Sequence, residues 1–514
     1  MGSPLLALLL VLGSMTVPGS PVVELDSGRI RGRADGEVVR YSGIRYAQPP
    51  VGELRWKDPV RAHPWPGVAD ATEPGESCTQ LEAGKQIGAE DCLFVNVTAP
   101  ARRTGRALPV MVWLHGGGYI TGWGSAYDPR RLVAKGGVIV VTVNYRLGAF
   151  GYLGLPGLPG SGTFGLADQL EALRWTKRNA AAFGGDPGNV TVFGESAGGM
   201  STCALLTSPA ARGLIDKAII QSGSCMLEWV SGTYVPIPGM PTIKPYVPLQ
   251  VNQDTGLATA GKLGCPAGQE LACLRARPAA AFMPYNESFS SQLAYGTPLL
   301  PRDPARALRE GGFLRVPVIS GGTHDEARGF IYGAGQAGLP VTAELYPKLV
   351  HGAFGKHAAA VLRTYPPADY RSPALAWATV ADDRAWACPT VWADRAMARR
   401  TPVYAFELAD EKAPNLARIP ADFPPGAQHA GDLPYLFDLH GRPWGDFTPA
   451  QWRLADRMIG FWTSFARTGK PAGWPAFDPR SGTAISLKPS DQGGIEPVDL
   501  GSGHRCGFWS KVSG

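Results

Sequence analysis

Short apolar runs rich in β-branched residues recur along the chain, and glycine, proline or asparagine bounds most of them. Runs of this kind predict buried strands. Between several of them, apolar residues recur near helical spacing, as in residues 167–182 and 200–206. This alternation predicts an α/β fold with a large, mostly parallel central sheet flanked by helices. The predicted central strands are residues 109–114, 138–143, 190–193, 217–221, 316–320 and 402–406.

Other segments have different patterns. Residues 22–31 and 38–46 predict antiparallel strands at an edge of the sheet. Residues 231–250 are rich in proline, glycine and tyrosine with little periodicity, which predicts a long loop or lid rather than a linker between domains. No boundary is visible after residue 20, so we expect a single domain over residues 21–514.

The first twenty residues carry no charged side chain, and residues 4–12 form a continuous apolar run. Small residues and Pro18 follow this run, which is the pattern of a secretory signal peptide. The run is too short to span a bilayer. We expect residues 1–20 to be the signal, with cleavage between Thr16 and Ser20; a buried N-terminal strand is the alternative.

Composition narrows the class of protein. Of the 514 residues, 44% are hydrophobic and 18% are charged, which is typical of a globular protein with a sizeable core. The net charge is only +6 and no run of five basic residues occurs, so we expect no nucleic-acid partner. Because no internal repeat is visible, solenoids and propellers are excluded.

The cysteines indicate an oxidising compartment, since there are eight, an even number. Spacing does not fix their connectivity, but short-range pairs that close small loops are the natural choice. These pairs are Cys78–Cys92 and Cys265–Cys273, with Cys388–Cys506 joining the C-terminus to an internal helix. Cys203 and Cys225 remain, either bridged or as two buried thiols.

Residues 194–198, Gly-Glu-Ser-Ala-Gly, match G-x-S-x-G, the pattern of a strained strand-to-helix turn that exposes a serine hydroxyl. A predicted strand lies directly before the motif and a helix-compatible run, 197–206, directly after it, as the turn requires. The small residues around the serine let the backbones crowd together. The context favours Ser196 as a nucleophile over an accidental match.

A serine hydroxyl needs a base at neutral pH, and the base needs a carboxylate to orient it. In hydrolases with this turn, the acid and then the histidine follow the serine in the chain. Glu326, after the predicted strand at 316–320, and His429 are therefore the candidates. Asp325 is the alternative acid, and the alternative bases are His440 and His504.

The sequence His115-Gly116-Gly117-Gly118 follows the predicted strand at 109–114. A loop of this type can present backbone N–H groups to an oxyanion. Gly117 and Gly118, with the N–H of Ala197, would supply three donors; a plain tight turn is the alternative.

Motifs for metals and cofactors are weak. The sequence has no H-E-x-x-H, C-x-x-C or P-loop pattern. Gly160, Gly162 and Gly165 match G-x-G-x-x-G, but they follow a loop rather than a strand, so we interpret the match as accidental. We expect no cofactor and no metal.

Further motifs occur in a fixed order along nearly the whole chain. They are residues 43–47 with 49–50, 90–97, 144–146, 183–187, 221–223, 325–326 and 465–469. Together with the serine turn, the glycine loop and His429, they resemble the type-B carboxylesterase/lipase family, the cholinesterase-like branch of the α/β-hydrolases.

The resemblance implies an α/β-hydrolase fold with long loop insertions over the active site. It also implies a serine carboxylesterase that acts on small-molecule esters. With the signal pattern and the even number of cysteines, we expect a secreted protein with no stable membrane anchor. The implied roles are Ser196 as nucleophile, Glu326 as acid and His429 as base, with the oxyanion hole at Gly117, Gly118 and Ala197 and supporting roles for Glu195 and Ser222. A purely structural role is the alternative for Glu195. The family pattern further implies the three disulfides proposed above, and Ala327 stands where the family usually has glycine.

Trp229 falls where cholinesterases carry an acyl-pocket tryptophan, which would shorten the space for the acyl chain and favour short acyl groups. The loop between Cys78 and Cys92 lacks the tryptophan that choline-selective members place there for cation–π contact, which argues against choline esters. The alternatives are other acyl chemistry on the same site, such as a lipase, lactonase, amidase or acyltransferase, and a non-catalytic binding module, which typically loses the serine.

Overall fold

A computed structural model of the protein describes residues 20–102 and 105–512. The predicted signal peptide lies outside the described residues, apart from Ser20. Within those residues, no helix is both long and apolar enough to cross a membrane.

The described part of the chain contains a central sheet of eleven strands. In chain order these are β1 Arg33–Asp35, β2 Val38–Arg45, β3 Phe94–Pro100, β4 Leu108–Leu114, β5 Ile139–Val143, β6 Gly185–Glu195, β7 Lys217–Gln221, β8 Val318–Thr323, β9 Val403–Leu408, β10 Thr483–Leu487 and β11 Glu496–Asp499. Their order in space is β11-β10-β9-β8-β7-β6-β4-β5-β3-β2-β1. Strands β4 to β10 are mutually parallel, whereas β1, β2 and β3 at one edge and β11 at the other pair antiparallel.

The central strands are apolar on both faces because helices cover both sides of a parallel sheet. Every residue of β5, β7 and β9 is buried. All six central strands predicted from the sequence are present, with ends that differ by a few residues. The prediction of a mixed α/β fold with a large, mostly parallel sheet is confirmed.

The α-helices of seven residues or more in the described residues are α1 Arg130–Gly136, α2 Phe164–Asn179, α3 Ala197–Thr207, α4 Leu249–Lys262, α5 Glu270–Ala276, α6 Pro304–Glu310, α7 Arg328–Gln336, α8 Leu345–Phe354, α9 Ala358–Thr364, α10 Pro373–Ala381, α11 Cys388–Ala398, α12 Pro449–Thr468 and α13 Cys506–Val512. The two predicted helices correspond to α2 and α3. A 3₁₀ turn, Ala180–Phe183, continues α2.

One edge prediction is confirmed only in part, because residues 22–31 pair antiparallel as predicted but lie outside the central sheet. Residues 22–31 form a hairpin, Val22–Leu25 with Gly28–Arg31, in a separate small sheet with Val68–Asp70. The chain reverses through Asp26 and Ser27, and Gly28 follows the turn with a φ of 142°, which other residues rarely adopt. A Cβ on Gly28 would lie 2.8 Å from Trp65. The segment 38–46 does form an antiparallel strand, β2, near the edge.

The segment 231–250 is mostly irregular, as predicted. Its last residues are ordered differently from the prediction, because a strand, Tyr246–Pro248, pairs with Leu293–Tyr295 and α4 begins at Leu249.

All eight cysteines lie in the described residues and are paired. The disulfides are Cys78–Cys92, Cys203–Cys225, Cys265–Cys273 and Cys388–Cys506. The open question of Cys203 and Cys225 is thus decided by their position, with Cα atoms 5.4 Å apart.

Helix α12 begins and ends with strong local signals. Thr448 and Gln451 form a capping box, proline occupies the first helical position, and Gly469 ends the helix with a φ of 76°. The buried face of α12 carries Trp462, whose indole N–H donates to the side chain of Gln221 at the end of β7. A surface helix is thereby connected to the carboxyl edge of the sheet.

A buried ion pair anchors the loop after β5. Arg146 donates to Asp168 of α2 through its backbone N–H, its Nε and its Nη2, at 3.0, 2.7 and 2.7 Å. Both side chains are almost fully buried, so neither charge can be solvated if its partner is lost.

We predict that Asp168→Ala lowers the free energy of unfolding by about 3–5 kcal/mol, because it leaves the Arg146 guanidinium buried and unpaired. Equilibrium urea unfolding with the disulfides intact measures this. Asp456→Ala, which removes an exposed pair with Lys135, is the control and should change stability by less than about 0.5 kcal/mol. Equal effects of the two substitutions would contradict the prediction.

Candidate active site

Ser196 lies between the end of β6 and the start of α3, at the turn predicted from the sequence. Its φ and ψ are 55° and −122°, a conformation that non-glycine residues rarely adopt. Its N–H donates to the carbonyl of Gln221 in the neighbouring strand β7, at 3.0 Å. The turn is therefore strained, and the sheet holds it in place.

The glycines of this turn are required by close backbone contacts. A Cβ on Gly198 would lie 1.9 Å from the carbonyl oxygen of Leu114, and one on Gly194 would lie 2.5 Å from the backbone of Gly198. A Cβ on Gly199 would lie 2.7 Å from the Gln221 oxygen. Helix α3 can approach the sheet only because these side chains are absent.

The glycine loop follows β4 and lies against the serine. A Cβ on Gly116 would be 3.1 Å from the Cβ of Ser196. Gly117 has a φ of 104° and could not carry a side chain, since a Cβ would lie 2.2 Å from the Thr121 oxygen. The N–H groups of Gly117 and Gly118 have no hydrogen-bond acceptor among the described residues. Ala197 is the first residue of α3, where N–H groups have no acceptor within the helix.

His115 supports this loop from inside the core. Its carbonyl accepts a hydrogen bond from the Tyr145 hydroxyl at 2.6 Å, and the two rings stack with centroids 4.3 Å apart. Burial lowers the pKa of His115 to about 4, so the imidazole is neutral at physiological pH.

His429 and Glu326 meet although they are far apart in sequence. Nδ1 of His429 lies 2.5 Å from Oε2 of Glu326, and the other carboxylate oxygen accepts from the N–H of Thr323 at 2.8 Å. Nε2 of His429 lies 3.2 Å from Oε1 of Glu195, the residue before Ser196. The hydroxyl of Ser196 is not hydrogen-bonded to His429 in this structure.

Asp325, the alternative acid, has a different position. Its carboxylate accepts from the N–H of Ala427 at 2.9 Å and pairs with Arg328 at 2.7 Å, and its own N–H donates to the Ala427 carbonyl. Asp325 therefore ties the loop of Glu326 to the loop of His429. The replacement of the usual glycine by Ala327 is accommodated, since its φ of −84° suits any residue.

The alternative histidines lie elsewhere. His440 is exposed and contacts the ring of Trp123, and His504 is bonded to Asp383 and Glu407. Neither contacts Ser196.

Three carboxylates surround His429, those of Glu195, Glu326 and Asp432. The sequence analysis had indicated Glu195 and Glu326 but not Asp432. Burial raises the pKa of Glu195 to about 8 and that of Asp432 to about 6. Burial by itself lowers the pKa of His429, but the negative charges of Glu195 and Glu326 outweigh it and raise this pKa to about 9. A proton is therefore retained among these groups above neutral pH.

Ser222 lies beside Glu326. Its backbone N–H donates to the carbonyl of Gly321 at 2.7 Å, and its buried hydroxyl has no hydrogen-bond partner among the described residues. A Cβ added to Gly322 would lie 2.4 Å from Oε1 of Glu326 and 3.2 Å from the Ser222 hydroxyl, so these two side chains face the same space.

Aromatic rings form one wall of the site. The ring of His429 lies 4.9 Å from Trp386 and 5.1 Å from Phe330, and Trp229 packs edge-on against Trp386 at 5.4 Å. Trp229 is thus connected to the histidine through Trp386. Phe330 is on α7, and Trp386 is on the π-helical turn Asp382–Ala387; no local sequence signal identified either of them.

The G-x-G-x-x-G glycines lie in the loop before α2 and at its start. A Cβ on Gly162 would lie 2.5 Å from the side chain of Ala294, and one on Gly165 would lie 2.6 Å from the Tyr152 hydroxyl. Tight packing accounts for both residues.

The whole chain is similar to known esterases. The sequence model of the carboxylesterase family matches residues 19–509. The chain is 35% identical to a para-nitrobenzyl esterase of Bacillus subtilis strain 168, over 89% of this chain and 92% of the relative. It is 31% identical to a fumonisin B1 esterase of Sphingopyxis macrogoltabida (95% and 94%) and 29% identical to a human cocaine esterase (99% and 94%).

Proposed function

Because the chain belongs to the carboxylesterase family and is a carboxylic ester hydrolase, we propose that Ser196, Glu326 and His429 form its catalytic triad. The observation that carries the proposal is the position of His429, with Nδ1 at 2.5 Å from Glu326 and Nε2 beside the serine turn. In this arrangement Glu326 accepts the Nδ1 proton and fixes the tautomer, which leaves Nε2 to act as the base.

In the proposed mechanism, His429 takes the proton of Ser196 as the serine oxygen attacks the ester carbonyl. The N–H groups of Gly117, Gly118 and Ala197 stabilise the oxyanion, and one such donor is worth about 10²–10³-fold in kcat. His429 then protonates the departing alcohol, and water releases the acyl group from Ser196 by the reverse steps. A catalytic hydrogen bond that is absent in a ligand-free enzyme often forms only once substrate binds.

The proposal extends to location and substrate. Four disulfides, together with the predicted signal, support secretion of a single catalytic domain over residues 21–514. We place the segment 231–250 over the active site, because Tyr234 lies 5.0 Å from Phe330, which contacts His429. Trp229 would fill the acyl side of the site and favour short acyl groups.

Hydrolysis of p-nitrophenyl esters from acetate to palmitate tests the function. We expect the secreted protein to favour short chains and Ser196→Ala to lose about 10⁶-fold in kcat. Equal turnover by the variant would exclude Ser196 as the nucleophile. Absence of turnover by a folded wild type with its disulfides intact would instead favour a non-catalytic binding module.

The pH dependence tests the base. His429 must be neutral to accept a proton, so kcat/KM should fall as pH drops through the pKa of His429. Since the charge of Glu195 raises this pKa, Glu195→Gln should move the acidic limb of the kcat/KM profile to lower pH. Glu24→Gln, at an exposed position, is the control and should leave the limb in place. An unchanged or upward-shifted limb in Glu195→Gln would contradict the assignment.

Replacement of Trp229 tests the acyl pocket. Trp229→Ala opens space beside Trp386, so the ratio of kcat/KM for the octanoate over the acetate ester should rise by about tenfold or more. Trp229→Phe keeps an aromatic ring and should retain the preference for acetate. If the alanine variant has the wild-type chain-length profile, Trp229 does not line the acyl pocket.

A further inference from the structure

A second cluster of chemically reactive side chains lies outside the triad. His324 follows β8, Glu407 belongs to β9, and His504 follows the short helix Leu500–Gly503. One potential ligand atom from each of these residues lies within 4.8 Å of the other two. Three separate segments of the chain therefore bring two imidazoles and a carboxylate together.

Both imidazoles are oriented by carboxylates through Nδ1. The distance from Nδ1 of His324 to Asp325 is 3.0 Å, and that from Nδ1 of His504 to Asp383 is 2.7 Å. Asp383 is itself held by the Tyr365 hydroxyl at 2.7 Å. Carboxylates placed in this way orient metal-binding histidines so that Nε2 is the ligand atom. Nε2 of His504 is hydrogen-bonded to Glu407, so a metal ion would replace the proton between them and release it to solvent.

The cluster is accessible from solvent. The three residues line a cavity of about 450 Å³. The side chain of His324 is 49% exposed, whereas those of Glu407 and His504 are 11% and 4% exposed. A small ion and a water molecule could therefore enter past His324 and reach two buried groups.

We propose that His324, Glu407 and His504 form a binding site for a divalent transition-metal ion such as Zn²⁺. Two imidazole nitrogens and one carboxylate oxygen are ligands that zinc takes in proteins, and three protein ligands leave the fourth position for a water from the cavity. Calcium and magnesium prefer sites built from oxygen atoms, so this donor set selects against them.

Binding requires only small movements. Nε2 of His504 lies 2.5 Å from Oε1 of Glu407, whereas ligand atoms at tetrahedral angles, each about 2.0–2.2 Å from zinc, lie about 3.4 Å apart. These two atoms must separate by roughly an ångström, and His324 must approach by a similar distance. Because His324 is at the surface, its side chain can make this movement.

His324 distinguishes the metal site from a purely structural cluster. If His504 has only a structural role, its hydrogen bonds to Asp383 and Glu407 are sufficient for it. His324 takes no part in these two bonds, because its ring is bonded to Asp325 instead. A metal site uses His324 as a ligand. Substitution of this half-exposed residue therefore removes metal binding while the bonds of His504 remain.

The experiment uses the full chain, first treated with EDTA and then freed of the chelator. Zn²⁺ is titrated in competition with a chromophoric chelator, and Co²⁺ is added separately to record its absorption spectrum. We expect one equivalent of Zn²⁺ per chain, Co²⁺ bands typical of tetrahedral coordination, and an affinity at least about 100-fold lower in His324→Ala. The control His63→Ala, at an exposed histidine, should bind as the wild type does.

A second variant and a second measurement distinguish loss of a metal ligand from misfolding of the His324→Ala variant. His324→Gln keeps a donor for Asp325 and should lose the metal as the alanine variant does. Zn²⁺ should raise the melting temperature of the wild type and of His63→Ala but not that of either His324 variant. Absence of stoichiometric binding by the wild type, or wild-type affinity in folded His324 variants, would overturn the proposal.

Discussion

The close approach of backbones at the serine turn is the constraint on which the rest of the site depends. Helix α3 passes so near to the ends of β4 and β7 that Cβ atoms on Gly198 and Gly199 would overlap carbonyl oxygens. This approach forces Ser196 into its strained conformation and brings the glycine loop against it. Since β4 to β10 are parallel, their carboxyl ends lie at one edge of the sheet, so the glycine loop, Ser196, Ser222 and the loop of Glu326 all meet there.

The histidine is positioned by connections between loops rather than by a regular element. Asp325 binds the backbone of Ala427, two residues before His429, so the loops of Glu326 and His429 are fixed to each other. A second connection runs from Trp462 of α12 through the side chain of Gln221 to Asp432. The first connection is local to the two loops, and the second links helix α12 to the residues next to His429.

The ionisable side chains around His429 are buried, which costs free energy, and they lie close to one another. Glu195 and Asp432 are buried carboxyl groups with raised pKa values, and each has an oxygen without a hydrogen-bond partner among the described residues. Such an arrangement lowers stability but stabilises a positive charge on His429. The cluster of His324, Glu407 and His504 is connected to the same loop, because Asp325 contacts Ala427 on one hand and His324 on the other.

The sequence by itself determined the central strands of the sheet and the motifs whose residues are neighbours in the chain. Apolar runs bounded by turn residues indicated the central strands, and the glycines around Ser196 and after His115 indicated close backbone contacts, because these signals are contained within a few neighbouring residues. Only the tertiary structure decided which residues that are far apart in the chain contact each other. It placed Glu326 against His429 and Asp325 against Ala427, paired Cys203 with Cys225, and turned residues 22–31 into a separate hairpin. It also assembled the aromatic wall and the His324 cluster from residues with no common motif. Distances between such residues depend on how strands and loops pack, which local sequence patterns do not encode.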